Sequence, residues 1–167
     1  MDPSPSRCKH SVFCQRKYAQ RETVSLRIPS APFHCRDKKM TQTLPNGELT
    51  LQTIAMPADT NANGDIFGGW RMAQMDLGSS VLARSRARGR VATVAVDAMT
   101  FHKPVHVGDV VSIHAVMRGE GRTSMTIDVE VWARRQPSGF HQKVTEAKFV
   151  FVSVDETGKK RALPELE

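Results

Sequence analysis

The pattern of hydrophobic and polar positions predicts one buried helix in the middle of the chain. Two sets of apolar residues recur at helical spacing on nearly opposite faces: Trp70, Ala73, Leu77 and Val81 on one, and Met72, Met75 and Leu82 on the other. The polar residues Arg71, Gln74 and Asp76 interrupt this surface. A helix that is apolar on most sides is buried rather than lying on a surface. Gly89, which follows three arginines, is typical of the end of such a helix.

After Gly89 the hydrophobic period changes from that of a helix to the alternation of strands. Five segments have strand character: Leu49–Ala55 ahead of the helix, and Arg90–Phe101, Val110–Met117, Thr123–Ala133 and His141–Asp155 after it. Short turn signals and no helical segment separate the last four, so we predict that they form an antiparallel meander. The sequence therefore predicts an α+β fold, a curled antiparallel sheet around one long central helix. One sheet covers only part of such a helix, and a second copy of the chain is expected to cover the rest.

The start of the helix contains the residues that are most typical of chemistry. Asp65 precedes Gly68 and Gly69, and each glycine costs roughly 1 kcal/mol against alanine inside a helix. Glycine allows close approach to the backbone, and the unpaired N–H groups of a helix start suit an oxyanion. On the residues alone, an Asp65 that only caps the helix is about equally well supported.

The distribution of charge argues against a nucleic-acid-binding domain. The net charge is +7, but residues 1–39 hold nine Lys and Arg against three Asp and Glu, whereas residues 40–167 hold fifteen against fourteen. A domain that binds nucleic acid should carry its positive charge on the folded part. We therefore expect no nucleic-acid partner.

Residues 1–39 form a basic segment that lacks the pattern of a packed core. We predict a disordered N-terminal extension there; a transit peptide, or a true start at Met40, are the alternatives. The three cysteines, Cys8, Cys14 and Cys35, lie in this segment and match no zinc spacing. Residues 40–160 are predicted to be the folded domain and residues 161–167 a C-terminal tail. No apolar stretch reaches the roughly 18 residues of a membrane span. Because residues 40–167 contain no cysteine, no disulfide is needed, and a cytoplasmic enzyme is expected.

Several motifs in order resemble those of the hot-dog-fold acyl-CoA thioesterases of the YciA type. The strongest is the string ADTNANGDIFGGW at residues 58–70. Further matches are QMD at 74–76, VDAMTF at 96–101, GDVV at 108–111, TSM at 123–125 and EVW at 130–132. The resemblance covers roughly residues 43–164. It implies a hot-dog fold and hydrolysis of acyl-CoA to a free carboxylic acid and CoA, in fatty acid metabolism.

The resemblance also implies roles for the residues at the helix start. Asp65 becomes the catalytic base or nucleophile, with the N–H groups of Gly68 and Gly69 as an oxyanion hole. This agrees with the chemistry of a thioester, because a thiol ionises near pKa 8.5 and leaves without a strong general acid. The reaction then needs a base or nucleophile and donors for the oxyanion.

Asp76 is the second candidate carboxylate, expected to support the site. Along one helix it lies roughly 16 Å from Asp65, so the two acids can cooperate only across a two-fold interface. A hydrogen bond at a dimer interface is an equally good interpretation of Asp76. Asn61 is assigned either to the substrate or, with more support, to a turn.

For CoA the resemblance points to the backbone of a strand and to a second segment, and the phosphates of CoA favour a cation as counter-charge. These predicted CoA-binding residues are Asn61, Val94, Ala95, Val96, Thr123, Ser124, Met125 and Arg90. No cofactor and no metal are expected, because the histidines lack ligand spacing. The strand Arg90–Phe101 would be an exposed edge, which predicts a dimer through that strand; the resemblance implies a trimer of such dimers, a homohexamer.

Two other functions remain open at this point. A hot-dog dehydratase shares the fold, but would be expected to place a histidine at or before the helix, and none lies between Met40 and Phe101. A non-catalytic module that binds CoA or acyl-CoA is the second alternative. It differs from a thioesterase in releasing no thiol.

Overall fold

The structure of this chain, a computed structural model, describes residues 44–165. The predicted N-terminal extension, residues 1–39, lies outside the described residues. The elements in chain order are β1 (Glu48–Ile54), a short 3-10 helix (Pro57–Asp59), α1 (Gly68–Ala87), β2 (Val91–Phe101), β3 (Val110–Glu120), β4 (Ser124–Arg134) and β5 (His141–Ser153). The central helix and all five strands were predicted, with bounds within a few residues.

The five strands form one antiparallel sheet in the order β1-β3-β4-β5-β2. The meander predicted from the turn signals is right for β3, β4 and β5 and wrong for β2, which pairs with β5 instead of β3. From the end of β2 the chain crosses the sheet to reach β3. There the Ala55 N–H group, just after β1, donates a hydrogen bond to the Asp109 carbonyl, just before β3. A local turn signal marks only that the chain bends, so it could not separate this crossing from a hairpin.

The core lies between one side of α1 and the inner face of the sheet. Every second residue of β4, from Met125 to Ala133, is buried, and on α1 the buried apolar residues include Met75 and Ala83. This alternation follows from the pleat of a strand, which sends successive side chains to opposite faces. The sheet of a single chain therefore covers only one side of the helix.

The opposite side of α1 and the neighbouring strand β2 are apolar and uncovered in the single chain. Leu77 and Val81 of the helix are 53% and 52% exposed, and Val94 and Val96 of β2 are 54% and 40% exposed. β2 is an edge strand, paired on one side only. We call this surface of α1 and β2 the open face. An apolar helix face beside an unpaired strand edge is typical of an interface with another chain.

Gly78 allows α1 to lie close to the sheet. A Cβ atom at this position would lie 2.7 Å from Cγ2 of Ile113 and 3.0 Å from Oγ1 of Thr50. Ile113 is fully buried, and the Thr50 hydroxyl donates a hydrogen bond to the Ile113 carbonyl. Neither neighbour can move without disturbing the pairing of β1 with β3, so only glycine fits here.

Gly78→Ala should therefore destabilise the fold, although alanine favours a helix by about 1 kcal/mol over glycine. Overpacking of this kind costs about 1–3 kcal/mol. Chemical denaturation of the variant measures the change, with Ser85→Ala at an exposed position of the same helix as the control. A Gly78→Ala protein as stable as the wild type would contradict the close packing.

The C-terminal segment that was predicted as a tail contacts the domain over the residues described. The Arg161 guanidinium donates to the Ala87 carbonyl at the end of α1 and to the Ser153 hydroxyl of β5. A Cβ atom on Gly89 would lie 2.8 Å from this guanidinium. Arg161 therefore packs closely against Gly89, and the left-handed residue that ends the helix is Arg88. No helix within residues 44–165 is long and apolar enough to cross a membrane.

Candidate active site

The loop before α1 is folded around the side chain of Asn61. Its Oδ1 atom accepts hydrogen bonds from the backbone N–H groups of Asn63 at 2.9 Å and Asp65 at 3.2 Å. The Asn61 N–H group donates to the Asp65 carbonyl at 2.8 Å, and Ile66 anchors the loop in the core. Asn61 therefore has the turn role that its residue type favours. Because Oδ1 already accepts two hydrogen bonds from the loop, only the Nδ2 group of the amide remains to bind a ligand.

The helix start presents unpaired backbone donors beside Asp65. α1 begins at Gly68 with Phe67 as its N-cap, and no side chain caps it. The interpretation of Asp65 as a simple helix cap is therefore wrong; its side chain is exposed on the loop. Within residues 44–165, the N–H groups of Gly68 and Gly69 have no acceptor. The Phe67 ring lies directly over Gly69, where a Cβ atom would overlap it.

Asp76 lies two turns further along the helix, at the border of the open face. The Thr93 hydroxyl of β2 donates to Asp76 Oδ1 at 2.6 Å, and the Asp76 side chain is half-buried. This contact orients the carboxylate and ties the helix to the edge strand. The chain does not bring Asp76 to the helix start, since at a rise of 1.5 Å per residue Asp76 lies roughly 12 Å along the helix from Gly68. Sequence reasoning missed Thr93, because the period of a strand does not tell which helix position it meets.

Arg71 was interpreted as an interruption of the apolar helix surface, but it is buried, with 9% of its surface exposed. Its Nη1 group donates to the Lys103 carbonyl at 3.1 Å and to the Thr145 hydroxyl at 3.3 Å, and its guanidinium lies 4.5 Å from the centre of the Phe101 ring. Burial lowers the pKa of Arg71 from its usual value. The group nevertheless stays charged, because arginine does not lose its proton in proteins.

The residues predicted to bind CoA are separated by one strand in the single chain. Val94, Ala95 and Val96 lie on the exposed edge strand, where backbone groups are free for a partner strand or an extended ligand. The segment 123–125 lies at the start of β4, on the far side of β5. Ser124 pairs with Val152 of β5, which pairs in turn with Ala92 of β2, so both segments lie at one end of the sheet.

Two members of that predicted set differ in accessibility. The Met125 side chain is fully buried in the core, so its contact with CoA, which stays a prediction, would involve its backbone. It alternates with the outward residues of β4, which turns it towards the helix. Arg90 is exposed and donates to the carbonyls of Asp155 and Glu156. Within residues 44–165, no group of three His, Cys, Asp or Glu side chains is placed to hold a metal ion.

The sequence of this chain matches the model of the thioesterase superfamily over residues 63–139. It is 55% identical, over 127 residues, to the acyl-CoA thioester hydrolase YciA of Escherichia coli (strain K12), covering 74% of this chain and 96% of that protein.

Solved structures agree with this similarity. HI0827, a hexameric broad-specificity acyl-coenzyme A thioesterase, superposes with a TM-score of 0.71 at 51% identity, over 74% of this chain and 85% of that one. A variant of it with an aspartate replaced by alanine has also been solved. The acyl-CoA hydrolase of Staphylococcus aureus has a TM-score of 0.64 at 27% identity, over 70% of this chain and 71% of that one. Its solved variants replace an aspartate at its position 43 and an asparagine at its position 28 by alanine.

Proposed function

Since this chain belongs to the thioesterase superfamily and is an acyl-CoA thioester hydrolase, we propose that it hydrolyses its substrate at a site completed by two subunits. The helix start of one subunit would hold the thioester carbonyl, and Asp76 of the partner would activate water. The observation that carries this proposal is Asp76 itself, a half-buried carboxylate held by Thr93 on the uncovered face of the molecule.

The loop and helix start provide the donors that the reaction needs. Hydrolysis turns the thioester carbonyl oxygen into an oxyanion in the tetrahedral intermediate. The free N–H groups of Gly68 and Gly69 and the Nδ2 group of Asn61 are donors on one short stretch of chain. Fixed backbone donors stabilise developing charge at little reorganisation cost. The positive end of the helix dipole acts in the same direction.

The carboxylate completes the reaction by general-base catalysis. Water attacks the carbonyl carbon as its proton moves to the Asp76 carboxylate, and the carbon–sulfur bond of the intermediate then breaks. CoA leaves as a thiolate and recovers a proton from the protonated acid or from water. A thiolate is a good leaving group at neutral pH, so one carboxylate is enough.

Two carboxylates compete for this role, and two observations favour Asp76. Its Oδ1 atom is oriented by the Thr93 hydroxyl, whereas the Asp65 side chain is exposed on a loop. In addition, Asn61 and Asp76 are 15 residues apart, the same spacing as the asparagine and aspartate replaced in the Staphylococcus aureus hydrolase. We assign Asp65 to the neighbourhood of the oxyanion donors, where it remains the second candidate for the base.

The assembly that such a site requires is a dimer with antiparallel helices. Hexameric thioesterases of the same fold support self-association. We propose that β2 pairs with its own copy across a two-fold axis, that the open face is buried there, and that three such dimers form a hexamer. The partner strand would then occupy the backbone edge near Val94 and Val96, and the CoA arm would lie at the end of the sheet beside Arg90 and Ser124. We expect this enzyme to act in the cytoplasm.

The experiment that tests the function is release of free thiol from acyl-CoA, measured across short, medium and long acyl chains. The wild-type protein should release thiol from at least one class with saturation kinetics. Binding of acyl-CoA without release of thiol would instead identify a non-catalytic binding module. Dehydration of a hydroxyacyl thioester without hydrolysis would identify a dehydratase.

A further inference from the structure

Arg71 occupies a position that is unfavourable for its charge in two respects. It lies in the first turn of α1, where the helix dipole disfavours a cation. It is also nine-tenths buried, and its Nε group has no hydrogen-bond partner. A buried charge is costly unless it is paired. Within residues 44–165, Arg71 forms no ion pair with a carboxylate.

The contacts of Arg71 hold it at the helix start. Nη1 is fixed by the Lys103 carbonyl and by the Thr145 hydroxyl, both uncharged acceptors. The guanidinium lies 4.5 Å from the centre of the Phe101 ring. The same ring lies near the first residue of the helix, since a Cβ atom on Gly68 would lie 3.8 Å from it. Phe101 thus lies near both the buried cation and the first residue of the helix.

From this arrangement we propose that Arg71 is a positioning residue for the oxyanion, resting on the thioesterase function proposed above. Its fixed charge adds to the positive potential of the helix start, and its contact with Phe101 holds that ring against Gly68. Residues kept in an unfavourable environment are typical of functional sites, where their cost is offset by activity. The acceptors of Arg71 are neutral, so no carboxylate cancels its field.

The effect of such a charge is specific to the transition state. The thioester carbonyl is nearly neutral in the bound substrate, whereas the tetrahedral intermediate carries a full negative charge. A charge that does not touch substrate therefore changes kcat and leaves KM nearly constant. Loss of a donor that binds the oxyanion directly lowers kcat about 10²–10³-fold. A cation that does not touch the oxyanion is expected to raise kcat by less, about tenfold.

The test is Arg71→Met, which keeps the length of the side chain and removes its charge. We expect kcat for thiol release to fall about tenfold, KM to stay within about twofold, and the melting temperature to stay constant or rise, because an unpaired buried charge is gone. Arg71→Lys keeps the charge and should retain most of kcat. Arg118→Met removes a cation on the outer face of the sheet, where it pairs with Asp128, and serves as the matched control.

Two results would overturn the inference. One is a wild-type kcat for Arg71→Met. The other is a lower melting temperature of Arg71→Met together with an Arg71→Lys protein that is equally inactive. That result would show that Arg71 only stabilises the fold. If Arg71→Met does not fold, Arg71→Gln, which keeps donors for Lys103 and Thr145 without the charge, takes its place with the same expected kinetics. Absence of thiol release by the wild-type protein would refute the proposed function instead.

Discussion

Asp76→Asn should lower turnover of acyl-CoA at least about a hundredfold, the usual loss when general-base catalysis is removed. Asparagine has the same size and still accepts the hydrogen bond from Thr93, so the helix and strand should stay in place. The substitution removes only the charge that takes a proton from water. Thiol release measures the loss, and unchanged melting temperature and CoA binding show that the fold and the substrate site are intact.

Asp65→Asn is the matched variant, because it removes the same charge on the other candidate. We expect a loss smaller than about tenfold, since Asp65 is assigned near the oxyanion donors and not to proton transfer. The loop should keep its shape, because Asn61 binds the backbone of Asp65 and not its side chain. The reverse pattern, an inactive Asp65→Asn protein and an active Asp76→Asn protein, would identify Asp65 as the general base.

Mixed subunits provide the control for a site that two chains share. Asn61→Ala and Asp76→Asn alter opposite halves of each proposed site, so a mixed dimer contains one intact site and one doubly altered site. Random association makes half of the dimers mixed, and co-expression should restore about a quarter of wild-type activity. No recovery in mixed dimers would place both residues in a site formed by one chain.

The fold could largely be predicted from the sequence because its signals are local. The sequence pattern directly shows a twenty-residue helix that is apolar on several sides. It also shows the strict alternation of polar and apolar residues in the strands. The position of β2 beside β5 could not be predicted, because the pairing of an edge strand depends on where α1 crosses the sheet. The partial exposure of α1 has the same origin, since a sequence shows that a face is apolar but not which chain covers it.

The candidate site was less predictable, and the reasons differ between residues. Gly68, Gly69 and Asp65 share one motif, so their proximity follows from the sequence. The contact between Thr93 and Asp76 joins two elements and depends on register. Arg71 was misjudged because arginine is rarely buried without a carboxylate, and hydrophobic periodicity assigns such residues to the surface. Residues that break such rules for a functional reason are those that pattern analysis assigns wrongly.

Leu77→Lys should prevent assembly and, with it, nearly all thioesterase activity. Leu77 is 53% exposed on α1 in the single chain, in the middle of the open face that we expect a second subunit to bury. An unpaired lysine in such an interface costs several kcal/mol, which is comparable to the free energy of a moderately tight dimer. Light scattering should show monomers at micromolar concentration, and thiol release should fall at least about a hundredfold because the partner's carboxylate is missing.

Val107→Lys is the matched control for this prediction. Val107 is an apolar residue of similar exposure, 45%, but it lies in the connection between β2 and β3 and outside the open face. The same lysine there should leave the oligomer and its turnover close to wild type, because no partner has to bury it. A Leu77→Lys protein that remains oligomeric and active would mean that the helices do not meet across the two-fold axis. The site would then have to be completed within one chain, where roughly 12 Å of helix between Gly68 and Asp76 separates the carboxylate from the oxyanion donors.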